Sequence, residues 1–103
     1  MINGHTELIA HLGYPTETFT APMIYNPWFA SRGINAVVVP MGTRAEDYEA
    51  FLRPLFHLSN MRGALVTMPH KVATVDLLDE AALAVQVAGS CNAILRRPDG
   101  SLY

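Results

Sequence analysis

The chain has 103 residues, of which 50% are hydrophobic and 16% charged, and its formal charge is −2. That length gives one domain with a modest core, and the composition excludes a disordered chain. Interspersed charges exclude a nucleic-acid footprint or a polybasic membrane patch, and the apolar runs fall far short of the roughly 20 residues a membrane helix needs.

Met1-Ile2-Asn3-Gly4-His5 carries neither the basic nor the apolar region of a signal peptide. Cys91 stands alone, so neither an internal disulfide nor a cysteine metal cluster is expected, and a reduced, cytoplasmic setting follows.

In chain order, Thr6 to Leu12 reads as a first strand, stopped by the turn signal Gly13-Tyr14-Pro15. Residues 16–21 form a polar loop at that strand's carboxyl end. Pro22 to Arg32 reads as a helix with Met23, Trp28, Phe29 and Ala30 as its buried face, closed by Gly33. Pro27 either kinks it or starts it afresh behind an Asn26 cap. Asn35 to Met41 is a second strand, apolar on both faces as in a sheet covered on both sides. Thr43-Arg44-Ala45-Glu46 fits a capping box, and the helix behind it carries Tyr48, Phe51, Leu52, Leu55 and Phe56 on one stripe, with a bend expected at Pro54.

Gly63 to Thr67 is a third strand, and Pro69 suits the first position of a helix running to Leu77. A further helix is expected from Asp79 or Glu80 to Val87, ending at Gly89, with the two acids favouring its positive end. Ser90 to Arg97 is a fourth strand, and Pro98-Asp99-Gly100 turns the chain into a hairpin that stops at Tyr103, as in a fragment of something longer. Strands alternating with helices predict an α/β fold with a mainly parallel sheet between helices.

The chemistry gathers in Thr67-Met68-Pro69-His70-Lys71, after a strand whose carboxyl end is where parallel α/β sheets bind ligands. A lysine amine in such a place exchanges a proton or holds an oxyanion. Thr67 and Asn92 are natural partners for hydroxyl groups, which points to a small polyhydroxylated or carbonyl compound. A solvated lysine on an ordinary turn, and an asparagine that merely satisfies nearby backbone, account for the same residues. Neither phosphate-binding glycine signature occurs, and His5, His11, His57 and His70 lack paired metal spacing.

G-A-L-V-T-M-P-H-K followed by V-A-G-S-C-N-A-I resembles the substrate-binding domain of shikimate and quinate dehydrogenases, with its G-x-N-V-T-x-P-x-K and I-G-A-V-N-T. Gly13-x-Pro15 and Pro22-x-x-Tyr25-Asn26-x-x-Phe29 are similar to that family's G-x-P-x-x-H-S-x-S-P-x-x-H-N-x-x-F. The resemblance spans nearly the whole chain. It implies a three-layer α/β/α sandwich with a mixed six-stranded sheet, a catalytic role for Lys71, and substrate binding by Thr67 and Asn92. It also implies NADP or NAD on a Rossmann domain outside this chain, with the catalytic aspartate in an N-T-D-G motif beyond Tyr103. By that reading the isolated chain is inactive.

Departures from the pattern point to a changed substrate. The family serines that hold the substrate carboxylate fall, without gaps, at Phe19 and Ala21; a one-residue slip brings Thr18 and Thr20 into those roles. The family asparagine falls at Leu65, Tyr25 replaces the histidine, and Ala93 replaces the threonine after Asn92. The resulting expectation is a divergent NAD(P)-dependent alcohol/ketone oxidoreductase domain for shikimate or a related alicyclic compound. The alternatives are a non-catalytic binding or regulatory module of the same fold, or an interaction protein. No nucleic-acid, membrane or metal partner is expected, and the oligomeric state is not encoded.

Overall fold

The computed structural model describes residues 2–103. The apolar runs form strands β1 (Glu7–Gly13), β2 (Ala36–Gly42), β3 (Met61–Val66) and β4 (Ala93–Leu95). Helix α1 (Ala21–Ser31) joins β1 to β2, and α2 (Ala45–Leu55) joins β2 to β3. A 3-10 segment, Ala73–Leu77, and α3 (Leu83–Ala88) lie between β3 and β4. The sheet order is β2-β1-β3-β4, with β1 parallel to both neighbours and β4 antiparallel to β3. The mainly parallel mixed sheet is therefore as expected, but it has four strands among the described residues, not six. Beyond β4, Arg96 bridges Leu102 across a turn whose Gly100 has φ 87°, completing the hairpin.

From β1 the chain crosses one way to make β2, then back past β1 to make β3. Right-handed crossovers in opposite directions put α1 and α2 on opposite faces, giving the three layers. Alternation along β1 agrees with this. Leu8, Ala10 and Leu12 join the core closed by Tyr48, Leu52 and Leu55 of α2 and by Phe56 just after it, while Ile9 and His11 lie on the other face. Met61, Ala64, Val66, Ile94 and Leu102 complete the core from the neighbouring strands and the hairpin.

Several local expectations are corrected. Phe51 leaves the α2 stripe and is 54% exposed, and Pro54 sits in the last turn of α2 rather than near its middle. The capping box does not form: Arg44 is the N-cap, with no side-chain cap bond. The cause is that the Thr43 N–H donates to the Gly13 carbonyl (3.1 Å), which holds Thr43 on the sheet.

Pro69 does not begin a helix. It follows a cis peptide bond in a run of turns, and only Ala73–Leu77 is helical. The Lys71 carbonyl accepts the Cys91 N–H (2.8 Å), so it is taken from the helical ladder. The last helix starts only at Leu83, because the N–H groups of Asp79 and Glu80 donate to the Leu102 carbonyl. Their carboxylates serve as ties and not as helix-end charges: Asp79 pairs with Arg53 and accepts the Leu102 N–H, and Glu80 pairs with Arg97. The Arg53 hydrogen bond, then the Leu102 N–H, holds the Asp79 carboxyl below its ordinary range.

α1 runs unbroken through Pro27, so Asn26 does not cap a second start. Its expected apolar face is mostly solvent-facing, with Met23 at 70% exposure and Trp28 at 47%; only Phe29 is half-buried. The inward stripe is Pro22, Asn26 and Phe29, with a polar residue at its centre. Asn26 Oδ1 accepts the Val38 N–H (2.7 Å) and its Nδ2 donates to the Val38 carbonyl (3.0 Å), so one side chain pairs the outer backbone of edge strand β2. β2 is thus an edge rather than an inner strand, which also accommodates Pro40.

Asn26→Ala leaves both Val38 groups unpaired in a part-buried place, and should destabilise the domain by about 2 kcal/mol. Urea unfolding measures this; an unchanged midpoint would show that water replaces the amide at no cost.

Candidate functional site

The crossover directions reverse at β1, so the loops after β1 and β3 leave the sheet to opposite faces and open a crevice between them. Such a switch point, at the carboxyl ends of the strands, is where open parallel sheets bind ligands. The backbone knits this edge together. Thr67 N–H donates to the Leu12 carbonyl (2.9 Å), and Tyr14 N–H to the Met68 carbonyl (3.2 Å). Gly13 is required by close approach: a Cβ there would lie 2.4 Å from Thr67 Cγ2 and 2.8 Å from Phe19 Cζ.

β4 runs antiparallel to β3, so its beginning lies beside the end of β3. Asn92, just before β4, gives its carbonyl to the Val66 N–H (2.7 Å), while Cys91 N–H holds the Lys71 carbonyl. Thr67, Lys71 and Asn92, singled out from separate stretches of sequence, are brought to one end of the sheet. Thr67 and Lys71 are half-buried and Asn92 is exposed. Thr18 and Thr20 belong to the loop at the same end, but both are exposed. The side chain that reaches Gly13 from that loop is Phe19, whose ring stacks on His11 with centroids 4.2 Å apart.

A buried polar brace underlies the lysine turn. His70 is 1% exposed and stacks flat on Tyr48, with centroids 3.8 Å apart and planes 4° apart. Its Nε2–H donates to the Thr43 carbonyl (2.5 Å). The Tyr48 hydroxyl and Thr74 Oγ1 are 2.7 Å apart, and Thr74 Oγ1 donates to the His70 carbonyl (2.7 Å). These contacts clamp the residue before Lys71 to α2 and to the end of β2. Sequence reasoning treated His70 as a member of the site turn and Tyr48 as plain core. A histidine beside the candidate lysine was visible, but its partners lie 27 and 22 residues away and carry no local signal.

Burial lowers the His70 pKa, opposed by its bond to Thr43, and burial lowers that of His11. Cys91 is fully buried with its thiol pKa raised by burial, which suits packing rather than nucleophilic attack. A groove of about 690 Å³ runs between Tyr14, Arg44 and Phe51, but it borders α2 and contains none of Thr67, Lys71 and Asn92. No cluster of His, Cys, Asp and Glu among the described residues is placed to hold a metal ion. Among the described residues, no helix is long and apolar enough to cross a membrane.

Residues 12–94 match the sequence profile of the shikimate dehydrogenase substrate-binding domain. The chain belongs to this family. It is 41% identical over 104 aligned positions to the NADP(+)-dependent shikimate dehydrogenase of Rubrobacter xylanophilus, a match that covers 98% of this chain and 35% of that protein. Among solved structures it superposes on a shikimate dehydrogenase in complex with NADP+ with a TM-score of 0.92 and 30% identity, covering 99% of this chain and 35% of the other. It also superposes on the Listeria monocytogenes shikimate 5-dehydrogenase in complex with shikimate and NAD, with a TM-score of 0.91 and 29% identity, covering 98% and 34%. This substrate-binding domain thus spans about a third of the length of the relatives it matches.

The buried imidazoles give the domain a definite pH response. Both pKa values are lowered from the ordinary 6.5 on folding, so the unfolded chain binds more protons below that pH. Stability is full above about pH 6.5 and declines as pH falls through it toward the lowered values. Urea midpoints between about pH 8 and pH 5 should show this decline. His70→Phe, which keeps the ring but not the proton site, should flatten part of the slope; an unaltered slope would place the response elsewhere.

Proposed function

We propose that this chain is the substrate-binding part of an NADP-dependent oxidoreductase that interconverts a secondary alcohol and a ketone on a small alicyclic compound of the shikimate type. The observation that carries this reading is the convergence of Lys71, Thr67 and Asn92 at the switch point of a family member's sheet. In this reading the Lys71 ammonium gives a proton to the carbonyl oxygen as it becomes an alcohol, and the amine takes it back in reverse. Thr67 and Asn92 hold substrate hydroxyls and so fix which carbon faces the amine.

NADP supplies the hydride when bound. The residues present do not fit it, because neither glycine-rich phosphate loop occurs in this chain. In this reading the cofactor and the acidic partner of Lys71 belong to residues outside these 103, and the whole protein works in the cytoplasm. The isolated chain binds substrate and does not turn it over.

In the intact protein, Lys71→Met should lower kcat by about 10²-fold or more while KM changes little, since the proton moves in the transition state. Steady-state kinetics with the NADP-linked reaction tests this. An unchanged kcat would remove Lys71 from the chemistry.

A further inference from the structure

The site's polar groups are unevenly distributed. Thr67 meets Gly13 through its methyl group, and the Phe19 ring tip covers the same glycine. The atoms nearest a Cβ at Gly13 are therefore a methyl group, a ring carbon and the Met68 carbonyl oxygen, none of them a hydrogen-bond donor. Beside them stands His11, half-buried against the Phe19 ring, with Nδ1 enclosed and without a hydrogen-bond partner. Burial lowers the pKa of that imidazole and so disfavours a positive charge at the corner.

The cations of the chain are accounted for elsewhere. Arg53, Arg62 and Arg97 are paired with Asp79, Glu7 and Glu80. Arg96 donates to the carbonyls of Phe56, Leu58 and Ser59. Arg32 and Arg44 lie over the rings of Trp28 and Tyr14. Among the described Lys and Arg residues, Lys71 is the one without such a partner, with Arg44 held over Tyr14 at the rim; a carboxylate held by the Lys71 ammonium would take it from proton transfer. A carboxylate set against Phe19 would lose its water and gain no donor, which is costly for a charged group.

We propose that Phe19 is a specificity-determining residue that makes this site select an uncharged substrate, a small cyclic polyol or hydroxyketone without a carboxylate. The inference rests on the oxidoreductase reading above for the location of the site, and it adds the charge class of the compound. Hydroxyl groups meet Thr67 and Asn92, and C–H surface meets the Phe19 ring.

The test uses a matched pair: shikimate, and the same ring with its carboxylate reduced to a hydroxymethyl group. Calorimetry on the intact protein gives Kd for each, with wild type, Phe19→Ser and Phe19→Leu. The hydroxymethyl compound should bind wild type roughly tenfold or more tightly than shikimate. Phe19→Leu keeps a hydrocarbon side chain and should keep the preference. Phe19→Ser supplies a donor and should bring the ratio down to about one or reverse it. Equal or tighter binding of shikimate by wild type, a ratio unmoved by Phe19→Ser in a variant that unfolds cooperatively, or binding of neither compound would overturn the proposal. NADP-linked turnover is scored separately. The predicted Kd ratio without turnover contradicts the oxidoreductase reading and leaves the selectivity standing. Turnover with equal Kd values contradicts the selectivity and leaves the reading standing.

Discussion

The carboxyl ends of β1 and β3 lie so close that the residue finishing β1 has to be glycine. A side chain at Gly13 would overlap the Thr67 methyl group and the Phe19 ring tip. This contact governs the rest of the site edge. It sets the register in which Thr67 N–H reaches the Leu12 carbonyl, and it brings the loop after β1 against the turn after β3. Because β4 enters antiparallel beside β3, the same register delivers Asn92 to the same edge. Three polar groups from three places in the chain converge without a direct side-chain bond among them, held by backbone hydrogen bonds behind them.

The buried brace of His70, Tyr48 and Thr74 satisfies its own polar groups, as a low-dielectric interior demands. Lys71, next along the chain, makes no ion pair among the described residues, and in the proposed reading its amine faces the ligand. The turn that supports Lys71 is thus clamped to α2, which is the preorganisation that the proposed proton transfer would need.

Much of this was legible in the sequence where one local signal dominates. Apolar runs gave the four strands, Gly33 and Gly89 took their left-handed helix ends with φ of 68° and 69°, and Pro98-Asp99-Gly100 made the hairpin. The crossover pattern and the Gly63 to Lys71 stretch pointed to the sheet edge at which Thr67, Lys71 and Asn92 meet. What was not legible depended on distant partners. Asp79 and Glu80 read as helix-start acids because Arg53, Arg97 and Leu102 are far off in sequence. The capping box at Thr43 was locally sound and lost to a sheet hydrogen bond at Gly13. Asn26 was weighed as a cap, whereas its work is on Val38 of the edge strand. Phe19 interrupts a polar loop, and only the fold reveals that its ring, rather than Thr18 or Thr20, lies against Gly13 and His11.

The central claim is that one sheet edge, built from the ends of β1 and β3 and the start of β4, is the ligand-binding surface. Amide chemical-shift mapping on isotope-labelled protein tests it most directly, using the hydroxymethyl analogue of shikimate as the titrant. The account predicts shifts concentrated at residues 13–20, 67–71 and 91–93, with the outer surface of α2 and the hairpin unmoved. Shifts centred on the groove between Tyr14, Arg44 and Phe51, or a saturated complex whose perturbations avoid Thr67 and Lys71, would contradict it.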